Sequence, residues 1–398
     1  MRSAMPSAII QTEPTASNLD AAKVMIAGVA SMILTVGLAR FLYTPLLPVM
    51  QAQAHLSTVA GGWLATINYA GYMTGTLLAA SVGGLRTKFH LYRALLLVAL
   101  VGTAGMGLTT NLALWAVLRF IAGMSSVAGL LLGSGLVLNW LLRHGRRLEL
   151  GVHFGGVGLG IAVSGLLAIA MAGWLDWADQ WLVAGAFGVL FLIPAWVWLP
   201  APPAHDGIHR PAMVDRPPSH RWMTLFTLAY FCAGVGYVVS ATFIVAIAAH
   251  QPQLRGFGNL VWVVVGLAAM PSCPLWDRMA RRTGDIPALL AAFAMLIVAI
   301  MLSATNKGLA ASMVSAALYG ASFNGITSMT LSIIGRLYPS NPAKAMARLT
   351  ISFGAAQIIA PAVSGYIAAF TGSYRGALFM AAATMAAGMV FLAAIRRE

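Results

Sequence analysis

Two arginines stand where a charge is hardest to keep. Arg40 lies in Gly37-Leu38-Ala39-Arg40-Phe41-Leu42-Tyr43-Thr44-Pro45, and Arg119 in Leu118-Arg119-Phe120-Ile121-Ala122-Gly123, each inside a long apolar run. All ten acidic residues (Glu13, Asp20, Glu149, Asp176, Asp179, Asp206, Asp215, Asp277, Asp285 and Glu398) fall in loops, tails or at the edges of such runs. Neither arginine therefore has a deep carboxylate to pair with. Charge within a membrane span is costly and is a functional candidate by default. A guanidinium offers a planar fork that matches carboxylate or phosphate through two parallel hydrogen bonds. Two forks without protein counter-ions suit an anionic solute. The alternative is that each arginine donates to carbonyls of a neighbouring helix and fixes packing. That alternative weighs more for Arg119. For Arg40 the adjoining Tyr43, Thr44 and Pro45 look like a broken, polar helix segment and favour contact with solute.

Other polar groups share these apolar runs: Asn68, Tyr69 and Tyr72; Tyr230, Tyr237, Ser240 and Thr242; Asn259 and Trp262; Tyr319 and Asn324; and Gln357. Asn68, Asn324 and Gln357 are expensive to leave unpaired in lipid, so they must face protein or a water-filled cavity. Interhelix glue and solute contact account for them equally well. His153 is the one titrating group placed to couple a proton, and an ordinary interfacial histidine would look the same. Cys232 and Cys273 have no CxxC or Cys/His spacing, which excludes a disulfide framework or zinc site. No GxGxxG, GxxxxGK[ST], HExxH or GxSxG pattern is present, so neither a cofactor nor direct ATP drive is expected. A membrane-embedded enzyme would need clustered His, Asp or Glu within spans, and the sequence has none.

The elements that position these residues follow from composition. The chain has 398 residues, 60% apolar and 9% charged, with mean hydropathy +0.83. A soluble chain carries roughly 25% charged residues, so this one cannot cover a soluble surface. Its net charge of +14 does not indicate nucleic acid, because the basic residues come in small groups between apolar runs rather than along one face. A helix needs about 20 apolar residues to cross the hydrocarbon core. Twelve runs qualify: 23–48, 60–84, 92–109, 112–141, 150–173, 180–199, 222–248, 257–276, 286–305, 309–336, 345–370 and 375–395. At 1.5 Å per residue, Arg40 and Arg119 then lie about 7–10 Å to the outer side of the midplane.

Charge fixes the topology. With the N-terminus inside, cytoplasmic segments hold nineteen basic residues: Arg2, Lys23, Arg86, Lys88, Arg93, Arg143, Arg146, Arg147, Arg210, Arg216, Arg221, Arg278, Arg281, Arg282, Arg336, Lys344, Arg348, Arg396 and Arg397. Outer loops hold three: Arg255, Lys307 and Arg375. One span more or fewer would invert every later loop and erase this bias. Both termini are therefore expected inside.

The longest loop, Pro200 to Arg221, is rich in proline and polar residues and reads as a flexible linker. The expected organisation is a polar tail (1–22), a six-helix half (23–199), the linker (200–221) and a second six-helix half (222–398). The halves are weakly alike. His153-Phe154-Gly155-Gly156 and Ser164-Gly165 in span 5 match Ser352-Phe353-Gly354-Ala355 and Ser364-Gly365 in span 11. Repeat halves enclosing a midplane site are the plan of many secondary transporters. The fold expected is an all-α membrane protein of twelve helices. Its 41 glycines, many spaced by four, point chiefly to close helix packing.

Over its whole length the chain resembles the major facilitator superfamily. The inner-loop signature is best matched by Pro274-Leu275-Trp276-Asp277-Arg278-Met279-Ala280-Arg281-Arg282-Thr283-Gly284; the first-half copy, Gly83 to His90, lacks its aspartate. The stretch around Arg119 resembles the span 4 motif tied to proton coupling. Gly37 to Met50, Gly61 to Gly75 and Gly234 to Phe243 resemble the YbfB/YjiJ-type branch. The resemblance implies alternating access, with a conformational latch at Asp277, Arg278, Arg281 and Arg282. It implies a solute site drawn from Arg40, Tyr43, Thr44, Asn68, Tyr69, Tyr72, Arg119, Tyr237, Thr242, Tyr319, Asn324 and Gln357, in a cavity lined mainly by spans 1, 4, 7 and 10. The partners expected are a small-molecule substrate, membrane lipid and a coupling proton taken up at His153. The setting expected is a monomer in a bacterial inner membrane. The substrate expected is an organic anion or amphipathic metabolite. The alternatives are multidrug or sugar efflux and, in another class, a transporter-like receptor that binds solute without moving it.

Overall fold

The computed structural model describes residues 17–144, 146, 150–203, 215–249, 256–306, 308–338 and 342–395. The expected tail up to residue 16, half of the linker (204–214) and the outer-loop cations Arg255 and Lys307 lie outside them. The described residues form twelve helical segments: α1 (Asn18–Gln53), α2 (Thr58–Ser81), α3 (Leu85–Leu108), α4 (Leu112–Leu141), α5 (Leu150–Met171), α6 (Trp177–Val197), α7 (His220–Ala249), α8 (Gly258–Ala269 with Ser272–Thr283), α9 (Asp285–Thr305), α10 (Leu309–Leu337), α11 (Pro342–Thr371) and α12 (Arg375–Ile395). Ten are long and apolar enough alone to cross a membrane, eleven when the bent α8 counts as one span. The remaining one, α2, has 24 residues, but its Thr, Gly, Asn and Tyr dilute its hydropathy. Two six-helix halves result, as expected.

Helix ends follow local chemistry. A Ser17–Asp20 capping box opens α1, and Ser57, Asn111 and Asp176 accept backbone N–H groups at the starts of α2, α4 and α6. Gly84 before α3 and Gly284 before α9 turn the chain at φ 74° and 92°, at corresponding places in the two halves. A side chain rarely tolerates that backbone, so glycine is required at both.

The apolar stripes sort the helices into layers. Only 33–39% of the apolar windows of α3, α6, α9 and α12 is buried, so these helices face lipid; α1 and α7, at 83% and 89%, run through the centre. Glycine brings backbones into contact between them. A Cβ on Gly123 of α4 would run into the Asn68 carbonyl of α2, and one on Gly71 of α2 into the Phe120 carbonyl of α4. Gly158 and Gly266 join α5 to α8, and Gly62 meets Pro361 across α2 and α11. The spaced glycines thus serve packing, as lipid offers little hydrophobic drive between helices.

Three helices depart from the expected form. Residues Ile33–Phe41 of α1 and Ala128–Gly133 of α4 are wound as π-helix. The first helix also continues past Pro48 to Gln53 instead of ending near residue 48. The eighth bends by 45° between Ala269 and Ser272 and continues to Thr283, which places Asp277, Arg278, Arg281 and Arg282 on a helix and not in a loop.

Candidate functional site

The wide π-turn of α1 carries Arg40 to the wall of a cavity between the halves. The cavity has a volume of about 420 Å3, within the range of small-molecule sites. Its first-half wall comes from α1, α2 and α4, with Arg40, Phe41, Tyr72 and Thr76 prominent; its second-half wall comes from α7, α10 and α11, with Tyr237, Phe323, Asn324, Phe353 and Gln357. Spans 2 and 11 thus contribute as much as the four helices expected from sequence. The cavity runs toward Lys88, Leu331 and Met346, at the end of the bundle that carries loops 2–3 and 10–11.

At the opposite end the halves are bonded shut. Thr44 donates to the Ala241 carbonyl (2.7 Å), Thr66 to the Ile358 carbonyl (2.8 Å), and Trp63 Nε1 to the Tyr366 hydroxyl (3.2 Å). Each joins the first half to the second. Tyr43 supports the seal from within its half by donating to the Gly61 carbonyl (2.9 Å). Thr242 is buried in α7 beside this seal, outside the cavity wall.

Arg40 is 5% exposed. Its guanidinium carbon lies 4.7 Å from the centre of the Tyr69 ring, 4.5 Å from Tyr72 and 5.3 Å from Phe41. No carboxylate pairs with it among the described residues, and its Nε has no hydrogen-bond partner. Cation–π contacts return about 0.5–2 kcal/mol each, whereas desolvating an ion costs several kcal/mol. The rings offset only part of that cost.

Arg119, 2% exposed, is arranged differently. It donates to the carbonyls of Ala39 (3.1 Å) and Arg40 (3.2 Å) and lies 4.4 Å from the centre of the Tyr43 ring. Asn68 donates to the Arg119 carbonyl (2.8 Å), tying α2 to α4. Both Arg119 and Asn68 are spent on protein and neither lines the cavity. Of the twelve solute-site residues expected from sequence, Arg40, Tyr72, Tyr237, Asn324 and Gln357 come together on its wall. Tyr69 stands behind Arg40, and Tyr319 stands behind the opposite wall, donating to the Tyr237 carbonyl (2.9 Å).

Two residues that the sequence did not single out shape that opposite wall. Phe323 and Phe353 flank Tyr237 at 5.3 and 5.7 Å between ring centres, tilted by 29° and 22°. Within the wall, Asn324 Nδ2 and Gln357 Oε1 are buried without hydrogen-bond partners. Phe323 directly precedes Asn324, and Phe353 stands one helical turn before Gln357. That adjacency was the available signal.

His153 is fully buried away from the cavity, against Gly28 of α1, with Nε2 2.9 Å from the Ser134 hydroxyl and Nδ1 unpartnered. At the end of the bundle that carries loop 8–9, Arg336 pairs with Asp285 at 2.6 Å. Asp277 and Arg281 line the same depression. Arg278 and Arg282 do not line it, and no motif marked Asp285 and Arg336 as part of it.

Comparison with known proteins agrees with this architecture. The family described as "Uncharacterised MFS-type transporter YbfB" matches residues 32–393. The chain is 24% identical over 268 residues to the uncharacterized MFS-type transporter YceJ of Bacillus subtilis (strain 168), covering 64% of this chain and 66% of that protein. It is 30% identical over 110 residues to the MFS-type transporter phm3 of Pyrenochaetopsis sp, covering 27% of this chain and 23% of that one. The matches thus span less than two thirds of either relative. Among solved structures, the nucleoside transporter NupG superposes with a TM-score of 0.72 at 12% identity, over 96% of this chain and all of that one. A bacterial homolog of the lysosomal transporter Spinster, in an inward-facing and occupied conformation, gives 0.68 at 14%, over 96% and 98%. Those identities speak for the fold alone. The family match runs from within α1 to within α12, and the chain belongs to the YbfB-type family of major facilitator transporters.

Proposed function

We propose that this protein is a secondary transporter that moves a small organic anion across the bacterial inner membrane by alternating access, with Arg40 as the anchor of the solute. One observation carries the reading. Arg40 is a buried cation without an acidic partner among the described residues, and it faces a cavity between the halves. Arg119, close by and also unpaired with any acid among the described residues, adds to the positive field. An anion would supply the missing countercharge. The two halves, residues 23–199 and 222–398, would rock about the cavity and expose it alternately to either side.

The charge bias of the loops supports a cytoplasmic cavity mouth and cytoplasmic termini. The bonded end then faces outward, so the described conformation is the inward-open one. The Asp285–Arg336 pair, with Asp277 and Arg281 beside it, would act as the latch of the second half. His153 would serve a coupled proton, and the unit would be a monomer.

The aromatic wall favours a second reading, a neutral aromatic solute, and NupG is named a nucleoside transporter. A thermal-shift panel on the purified chain separates the two. Carboxylates should raise the melting temperature and their neutral amides should not; at a hundredfold excess over Kd a ligand adds about 2.7 kcal/mol of stability. Equal shifts from amides and acids would favour the neutral solute.

A further inference from the structure

We infer that the solute is an aromatic acid carrying a hydrogen-bonding group at the end of its ring opposite the acid. The inference rests on the anion reading and refines it. The cavity has two unlike walls. One presents Arg40, set among Tyr69, Tyr72 and Phe41. The other presents Tyr237 between Phe323 and Phe353, with Asn324 and Gln357 beside the two phenylalanines. Tyr69 joins the walls, since it faces Arg40 and meets Tyr237 edge-on at 6.5 Å.

The unmet groups define the polarity of the ligand. Arg40 offers only donors and has an unpartnered Nε. Across the cavity, Gln357, 2% exposed, has an unpartnered Oε1, and Asn324 an unpartnered Nδ2. Buried amides in native proteins are almost always satisfied, so these two, turned to the cavity surface by a side-chain rotation, would pair with a group that both accepts and donates. A phenolic hydroxyl, a ring amide or an amino-carbonyl edge does both. The ring contacts define the middle. Tyr237, Phe323 and Phe353 offer aromatic surface at the spacings in which rings attract one another. An aliphatic body of equal size would fill the space without that gain. The acid would meet Arg40, the ring Tyr237, Phe323 and Phe353, and the polar end Asn324 with Gln357.

The test is calorimetric binding to the purified full chain in detergent, with 4-hydroxybenzoate, benzoate, cyclohexanecarboxylate and 4-hydroxybenzamide as probes. The expected order is 4-hydroxybenzoate tightest. Cyclohexanecarboxylate should bind about 3- to 10-fold more weakly than benzoate, from the loss of ring contacts. Benzoate should bind about 10-fold more weakly than 4-hydroxybenzoate, from leaving the amides unmet. Gln357→Leu should abolish the preference for the hydroxyl, and a melting curve like that of the original chain shows that the variant is folded. If cyclohexanecarboxylate binds as well as benzoate, and both depend on Arg40, the aromatic assignment is overturned and the anion reading survives. If 4-hydroxybenzamide binds as well as 4-hydroxybenzoate, the anion reading itself fails. No saturable binding of any aromatic acid also overturns the proposal.

Discussion

Arg119 holds Arg40 by its backbone: Nη2 of Arg119 donates to the Arg40 carbonyl at 3.2 Å, and Nη1 donates to the carbonyl of Ala39 at 3.1 Å. One buried arginine thus fixes the π-helical turn from which the other reaches the cavity. The two cations are neighbours, but their surroundings differ. In the proposed division, Arg119 is a positioning residue and Arg40 meets the solute.

Arg119→Gln should keep one of the two bonds at best. Leaving a buried carbonyl unpaired costs about 1–3 kcal/mol, so the melting temperature should fall. The base of Arg40 would shift, and KM for an anion should rise about 10-fold with little change in kcat. A loss as complete as that of Arg40→Ala would place Arg119 against the solute instead. Transport kinetics in proteoliposomes, beside a melting curve, separate the two roles.

Thr44 closes the sealed end by donating to Ala241 of the other half. Thr44→Val keeps the shape and removes the donor. A hydrogen bond of this kind contributes about 1 kcal/mol, so the population with that end open should rise about fivefold. Spin labels on the ends of α1 and α7 at the bonded end of the bundle would report it as a larger fraction at long distance. An unchanged distance distribution would show that the bond does not hold the conformational balance.

Gly123 touches the Asn68 backbone, so Gly123→Ala forces a methyl group against a carbonyl that cannot move without displacing α2. Overpacking of this kind costs about 1–3 kcal/mol, occasionally more. Reduced yield of monodisperse protein and a lower melting temperature are expected. Gly135→Ala, with open space around it, should have almost no effect in the same assay.

The Arg336–Asp285 pair is exposed by 59% and 43%. Such pairs contribute about 0–1 kcal/mol. Arg336→Gln should therefore leave the melting temperature nearly unchanged while altering the rate at which the halves interconvert. Single-molecule distance trajectories would detect the change. A large fall in melting temperature would mark the pair as a structural element and not a latch.

The helix count and the placing of Arg40 were legible in the sequence for different reasons. Apolar runs separated by basic clusters can be satisfied by very few topologies, so the twelve segments followed. Arg40 stood out because lone charge in lipid is rare. Phe323 and Phe353 did not stand out, since a cavity-facing phenylalanine and a lipid-facing one look identical in an apolar run. Asn68 and Asn324 illustrate the same limit from the polar side. Each is one asparagine in a span, yet the first bonds a carbonyl of α4 while the second faces the cavity. The partner, which decides the role, sits on another helix. The π-turns of α1 and α4 left no local signature either, as they depend on contacts such as Gly129 of α4 against Ser31, Met32 and Thr35 of α1.

The central claim is that Arg40 supplies the charge that binds a transported anion. The most direct test is uptake of a labelled aromatic carboxylate into proteoliposomes by the original chain, Arg40→Lys and Arg40→Ala, with melting curves for each. Saturable uptake by the original chain is expected. So are weakened uptake with Arg40→Lys, which keeps the charge and loses the fork, and loss of about 100-fold or more in kcat/KM with a folded Arg40→Ala. Unchanged uptake by folded Arg40→Ala would contradict the claim.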